Sequence, residues 1–299
     1  MELHQLRYLV TIAETGNFTR AAERNHISQP SLSQQIIKLE RELGHKLFHR
    51  LGRRAVPTEI GGVFLERARR ILAEVDDTLR ELRDDPHATR RIMVGATPTI
   101  APYLLPRLLA RCREAHPNLQ VQTQENFRNP LVRAVVEGEL DLVISSLPVS
   151  DPRLHVEPIY SEPLLLVVGK KHRLASKPRV TPVDLVDEVF ILPGDGSSLA
   201  QQIQRFCGDN DFEPHIGHRC AQIATVKALV ALGAGISILP LMARAPEDTE
   251  SLAYRDLAGQ APKREVAVLR HLQRYQSRGA EQFLAILRET LASLPSHSA

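Results

Sequence analysis

Residues 6–50 read LRYLVTIAETGNFTRAAERNHISQPSLSQQIIKLERELGHKLFHR, and this stretch decides the fold of the amino-terminal fifth of the chain. Leu3, Leu6, Val10 and Ala13 fall on one face of a helix that Gly16 ends. A short second helix follows, with Thr19 as a candidate cap, small Ala21 and Ala22 for close packing, and Asn25-His26 as a turn. Ser28 is a suitable cap for a third helix. Pro30 fits its first turn, where an amide hydrogen has no partner, and Leu32, Ile36, Leu39 and Leu43 keep a three-to-four spacing up to Gly44. Two short helices across a tight turn predict a helix-turn-helix.

Working outward, residues 45–58 (HKLFHRLGRRAVPT) place Gly52 among basic residues and end in Pro57-Thr58, which predicts a basic hairpin wing. Ile60, Phe64, Ala68, Ile71, Val75, Leu79 and Leu82 then recur in a heptad rhythm. So narrow an apolar stripe suits the same helix of a second subunit. Asp84-Asp85-Pro86-His87 breaks the run as a polar hinge.

From Arg91 the pattern becomes α/β. Strands are expected at Ile92–Val94, Leu119–Gln124, Leu140–Ile144, Leu164–Val168, Phe190–Leu192, Ile236–Leu239 and Val266–Leu269. Helices are expected at Ala101–Glu114, Leu131–Val136, Ser198–Phe206, Ile223–Leu232 and Ala280–Leu291.

Composition bounds the function. With 299 residues, 43% hydrophobic and 24% charged, the chain suits two globular domains and excludes a disordered or collagen-like polymer. Three cysteines without a CxxC pair exclude a disulfide scaffold and a four-cysteine zinc site. The opening MELHQLRYLVTIAETG has no export signature and no apolar run reaches a membrane span, so a cytoplasmic protein without membrane partners is expected. Residues 1–58 hold nine Lys and Arg against five Glu, a net +4, whereas the whole chain carries only +3. That concentration of positive charge favours a polyanion such as DNA.

The stretch 6–50, continued by Pro57-Thr58 and Gly61, resembles the LysR-type bacterial transcriptional regulators, and the order of elements agrees over the whole chain. The resemblance implies a winged helix-turn-helix (1–58), a linker helix and hinge that pairs subunits (59–90), and a two-lobed α/β effector domain like a periplasmic binding protein (91–299). One lobe would comprise 91–162 and 269–299, the other 163–268. It further implies promoter DNA, a small anionic effector, self-association to a dimer or tetramer, and RNA polymerase as partners, with no cofactor.

The residue chemistry supports the same reading. A helix starting near Pro30 offers Gln29, Ser31, Ser33 and Gln34 to base edges, while Arg20, Lys38, Arg50, Arg53 and Arg54 suit phosphates. In GATPTIAPYLLPRL (95–108), Thr97, Pro98 and Thr99 lie between a strand and a helix start, where amides and hydroxyls favour an anion. Capping accounts for Thr99 about as well. This stretch resembles the peroxide-sensing OxyR and cyanate-responsive CynR groups, which implies that Gly196, Ser197, Ser198, His218 and Gln222 complete an effector cleft. The peroxide-reactive cysteine of the OxyR group would fall on Ser198 within GDGSSLAQQIQRFC (194–207), leaving Cys207 without the partner for an intramolecular disulfide.

A thiol-responsive regulator using Cys207 is therefore the alternative, and a solute-binding protein a more distant one. His215, His218 and Cys220, with Cys207 near in sequence, are a weak metal-ligand set, because strand alternation divides the two histidines between faces. His45 and His49 lack the glutamate of HExxH, and Gly233-Ala234-Gly235 is too short for a dinucleotide loop. Without a GxSxG elbow or triad spacing, no catalytic residue and no enzyme activity are expected.

Overall fold

The computed structural model describes residues 1–51, 54–82, 90–194, 196–259 and 261–294. The chain divides into two compact units, one of residues 1–85 with 136–139, the other of residues 86–135 and 140–299.

In the amino-terminal unit, α1 (Leu3–Thr15) buries Gln5, Leu6, Leu9 and Ile12. This face is rotated from the predicted one: Leu3 is exposed, and Val10 and Ala13 lie at the margin of the core. Asn17, not Thr19, caps α2 (Phe18–Arg24), its Oδ1 accepting from the amides of Thr19 and Arg20 at 2.8 and 3.2 Å. His26 takes the left-handed turn before α3 (Gln29–Leu43) with φ +55°. Ser28 Oγ accepts from Ser31 N at 3.3 Å, and Leu32, Ile36 and Leu39 are fully buried.

The buried Glu40 carboxylate accepts from Leu47 N at 2.9 Å and so aims the chain into the wing. Strands β1 (Phe48–Leu51) and β2 (Arg54–Pro57) pair antiparallel, Phe48 opposite Pro57. The predicted turn residues Gly52 and Arg53 lie outside the described residues. Thr58 Oγ1 donates to Lys46 O and accepts from Gly61 N, joining the wing to the start of α4 (Glu59–Leu82). Ala68 of the predicted pairing stripe is fully buried in this unit's own core, with Phe64, Leu65 and Leu72 packed beside it.

The carboxy-terminal unit runs β3 (Arg90–Ala96), α5 (Ala101–Ala115), β4 (Leu119–Glu125), α6 (Arg128–Glu137), β5 (Leu142–Ser146), β6 (Leu154–Gly169), β7 (Arg179–Val180) and β8 (Val189–Pro193). It continues with α7 (Ser198–Gly208), β9 (His215–Cys220), α8 (Ile223–Ala231), β10 (Ser237–Pro240), β11 (Leu252–Leu257), β12 (Lys263–His271) and α9 (Arg278–Ala292). The main sheet is ordered β4-β3-β5-β12-β6-β11-β7, with β10 also on β6, and β8 and β9 form a separate parallel pair. Two apolar cores result, one under α5 and α9, the other under α7 and α8.

The chain crosses between these lobes on β6 and β12. The first half of β6 pairs with β12 and its second half with β10 and β11. The return crossing comes earlier than residue 269. Val266 and Val268 belong to the first lobe's core because β12 is already paired with β5 from Val266 onward.

Candidate DNA interface and effector cleft

On α3, Gln29, Pro30, Ser31, Gln34 and Lys38 are exposed, and positions 31, 34 and 38 share one helical face. Arg20 on α2 and Arg54 on the wing are exposed as well. Hydroxyl and amide groups thus stand beside cations, the combination that separates base reading from phosphate anchoring. Ser33 departs from the expectation: it is buried, and its Oγ accepts from Arg50 at 3.0 Å. The Arg50 guanidinium also lies 4.5 Å from the centre of the Phe18 ring. Arg50 therefore fastens the wing to α2 and α3. Arg53 lies outside the described residues.

A single cleft in the carboxy-terminal unit is lined by Thr97, Pro98, Thr99, Gly196, Ser197 and Ser198, together with Phe127, Arg128, Pro193, Ala221 and Ile223. The starts of four helices meet there: α5 after Thr97–Ile100, α6 at Arg128, α7 at Ser198 and α8 at Ile223. Each helix start contributes the positive end of its dipole, so the cleft favours negative charge. Thr97 and Thr99 are 4% and 6% exposed, and neither Oγ1 has a hydrogen-bond partner. A hydroxyl buried without a partner is unfavourable by about 1–3 kcal/mol, which a bound oxygen would relieve.

The lobes meet directly across this cleft. Ser198 Oγ and Ser146 Oγ are 2.6 Å apart, and Gln202 donates to Leu147 O at 3.1 Å. Free space for the centre of a water-sized sphere is about 10 Å³, roughly what one water requires. A larger guest requires the lobes to part. Ser197 caps α7, its Oγ accepting from Leu199 N at 3.2 Å. His218 and Gln222 are exposed and stand outside the cleft lining, their places taken by Ala221 and Ile223.

Residues 3–62 match the bacterial regulatory helix-turn-helix proteins of the lysR family, and residues 86–292 match the LysR substrate binding domain. The chain belongs to the LysR family. This regulator is 33% identical over 273 residues to the DNA-binding transcriptional dual regulator OxyR of Escherichia coli, covering 90% of this chain and 89% of that one. It is also 33% identical to the transcriptional regulator YcgK of Bacillus subtilis, over 97% of this chain and 95% of the other. Full-length OxyR from Pseudomonas aeruginosa with a cysteine-to-aspartate substitution superposes with a TM-score of 0.79 at 29% identity, covering 98% and 95% of the two chains. CbnR in complex with its target DNA gives 0.69 at 26% identity, covering 97% and 100%. The LysR regulator is a DNA-binding transcriptional regulator, not an enzyme.

Cys112, Cys207 and Cys220 are free and buried. Burial pushes the Cys207 thiol up to about 12 and Cys112 up to about 11, so neither is a thiolate at neutral pH. Ser198 and Cys207 lie on one helix, where nine residues span about 13 Å, too far for any direct bond between them. His215 and His218 are exposed, in contrast to Cys207 and Cys220, and no group of three potential metal ligands occurs among the described residues. No helix among the described residues is long and apolar enough to cross a membrane.

Phe127, Arg128, Ser146, Pro193, Ala221 and Ile223 are site residues that sequence reasoning missed. Asn126-Phe127-Arg128-Asn129-Pro130 joins a strand to a helix just as Thr97–Ile100 does, so the same junction signal was available for Arg128.

Proposed function

We propose that this LysR regulator binds promoter DNA with the exposed face of α3 and the wing, and that a small anion held in the cleft changes that binding by shifting the arrangement of the lobes. The observation that carries the effector reading is the pair of buried, unpartnered hydroxyls of Thr97 and Thr99 where four helix starts converge. A ligand shifts the open and closed populations only by its differential affinity for them, and a direct hydroxyl contact supplies such a difference. With a small-molecule extract of the producing cells as probe, gel shifts on the regulator's own promoter should show an extract-dependent change. Thr99→Val should weaken that response by about 1 kcal/mol or more, and an unaltered response would refute the assignment.

The thiol-based alternative makes the opposite prediction. Cys207 sits in the second lobe's core at 0% exposure, so native protein should resist alkylation there, and peroxide should leave the footprint unchanged. A peroxide-dependent footprint abolished by Cys207→Ala would favour the thiol sensor.

The apolar side chains of Ile60, Val63, Ile71 and Leu79 are exposed on α4, in keeping with pairing to the same helix of a second subunit. The proposed seam also includes half-buried Val75; the side chain of Leu82 lies outside the described residues. Replacing Ile71 and Val75 together with lysine should lower the sedimentation mass, and an unchanged mass would refute the seam. A dimer or tetramer carrying its basic units on promoter DNA, in contact with RNA polymerase, completes the proposed assembly.

A further inference from the structure

A second cavity of the carboxy-terminal unit, of about 910 Å³, shares no described lining residue with the cleft. Its floor is the stretch 159–165 of the crossover strand β6. Seven residues of strand extend about 20 Å, so the cavity is a trough. From the first lobe α9 walls it with Arg288, Leu291 and Ala292; from the second, β7 and β11 supply Arg179, Asp256 and Leu257. The trough therefore touches both lobes along a strand that connects them. Its volume lies within the roughly 300–1,000 Å³ of small-molecule sites.

The chemistry of the walls is divided. Leu164, Leu165, Leu257 and Leu291, each almost fully buried, make an apolar lining, with half-buried Ile159 and Leu294 beside them. Of the charged lining residues, Glu162 is taken by Arg264 Nε at 2.8 Å and by Met242 N at 2.6 Å, and Arg288 by Glu157 at 2.6 Å. Asp256 is already engaged as well. Among the described residues, the side chains of Arg179 and Lys263 have no hydrogen-bond or ion-pair partner, and both are exposed.

We propose that this trough is a second ligand site, separate from the cleft, and that it takes a medium-chain acyl carboxylate. A carboxylate at Arg179 and Lys263 gains two cations while it keeps contact with water, which avoids the cost of burying a charge. The chain then lies extended over the leucines along β6, where each buried methylene adds to binding. A compact aromatic acid would leave most of the trough wet, and a neutral hydrocarbon would leave both cations unused. Glu162 on the wall of the trough holds Arg264, which also donates to Thr99 O at 3.1 Å, so a single ion pair stands between this site and the cleft.

The experiment measures binding of butyrate, octanoate and dodecanoate, and of octanol, to the full-length protein by calorimetry. Affinity should rise by about three- to fourfold for each methylene buried, and octanoate should bind more tightly than octanol. Arg179→Gln combined with Lys263→Gln should weaken octanoate by about fivefold or more and leave octanol unchanged. Ala292→Trp places a ring in the trough from an exposed position and should weaken every probe by about tenfold or more. Ligand-free melting temperatures show which variants are folded; should Ala292→Trp misfold, Ala261→Trp on the opposite wall, also exposed, takes its place.

No gain from butyrate to dodecanoate, equal binding of octanoate and octanol, or binding that neither the double variant nor the tryptophan alters would overturn the assignment. Thr99→Val should leave dodecanoate binding as it is. A loss there would put the probe in the cleft and remove the trough, whereas an intact trough in a protein without any cleft response would remove only the cleft reading.

Discussion

Replacing Arg264 with methionine is expected to destabilise the carboxy-terminal unit by about 3–5 kcal/mol, because it leaves the Glu162 carboxylate buried without its cation. Both side chains are fully buried on the crossover strands, directly opposite each other in the β6–β12 ladder. Arg264 Nε donates to Glu162 Oε1 at 2.8 Å, and a terminal nitrogen donates to Thr99 O at 3.1 Å. The second carboxylate oxygen accepts from Met242 N at 2.6 Å. The pair thereby joins both crossings to the cleft peptide of Thr99 on one side and to the second lobe on the other. In differential scanning calorimetry the transition of this unit should fall by roughly 10 °C. Replacing both residues with methionine should recover most of the loss, since a well-packed apolar pair avoids desolvating charge. A single variant that melts with the wild type would contradict the buried pair's role.

Gly61→Ala should disable the amino-terminal unit by a different route. A Cβ on Gly61 would lie 2.0 Å from the carbonyl oxygen of Leu47 and 2.8 Å from its carbon, both backbone atoms that cannot rotate away. Those atoms sit where Thr58 N donates to Leu47 O at 2.9 Å, so the start of α4 cannot retreat without releasing the wing. The expected destabilisation is about 3 kcal/mol or more, at the upper end of overpacking. Promoter affinity should drop, while the melting transition of the carboxy-terminal unit stays in place. Wild-type promoter binding by Gly61→Ala would show that the close approach is not required.

Local chemistry made much of this architecture readable before any coordinates. Ser28, Pro30 and Gly44 bound α3 through capping and a left-handed end, both effects confined to a few residues. The period of 3.6 is less decisive about which face is buried: in α1 the stripe through Leu3 and Val10 competes with that through Leu9 and Ile12, and packing against α3 and α4 selects the second. The α4 stripe looked uniform, yet Ala68 faces its own core and Ile71 faces outward, a division set by tertiary contacts.

The long crossover β6 was visible only in its apolar half, because Glu157, Pro158, Glu162 and Pro163 interrupt its first half. In the cleft, Thr97 and Thr99 announced themselves at a strand-to-helix junction, whereas Ser146, at the end of β5, meets Ser198, at the start of α7, only through tertiary packing across 52 residues of sequence. The pairing of β9 with β8 carries a register shift, and His218 is exposed outside the cleft lining.

The central claim, that α3 reads the promoter while flanking cations only anchor it, is tested most directly by comparing Gln34→Ala with Arg20→Ala in gel-shift titrations. Each is measured on promoter and scrambled DNA over a range of salt concentrations. Gln34→Ala should reduce discrimination between the two DNAs by about 1–3 kcal/mol and leave the salt dependence intact. Arg20→Ala should weaken both DNAs alike and reduce the slope of log affinity against log salt by about one. Wild-type discrimination in Gln34→Ala, together with an unchanged salt slope in Arg20→Ala, would contradict the assignment of this face to DNA.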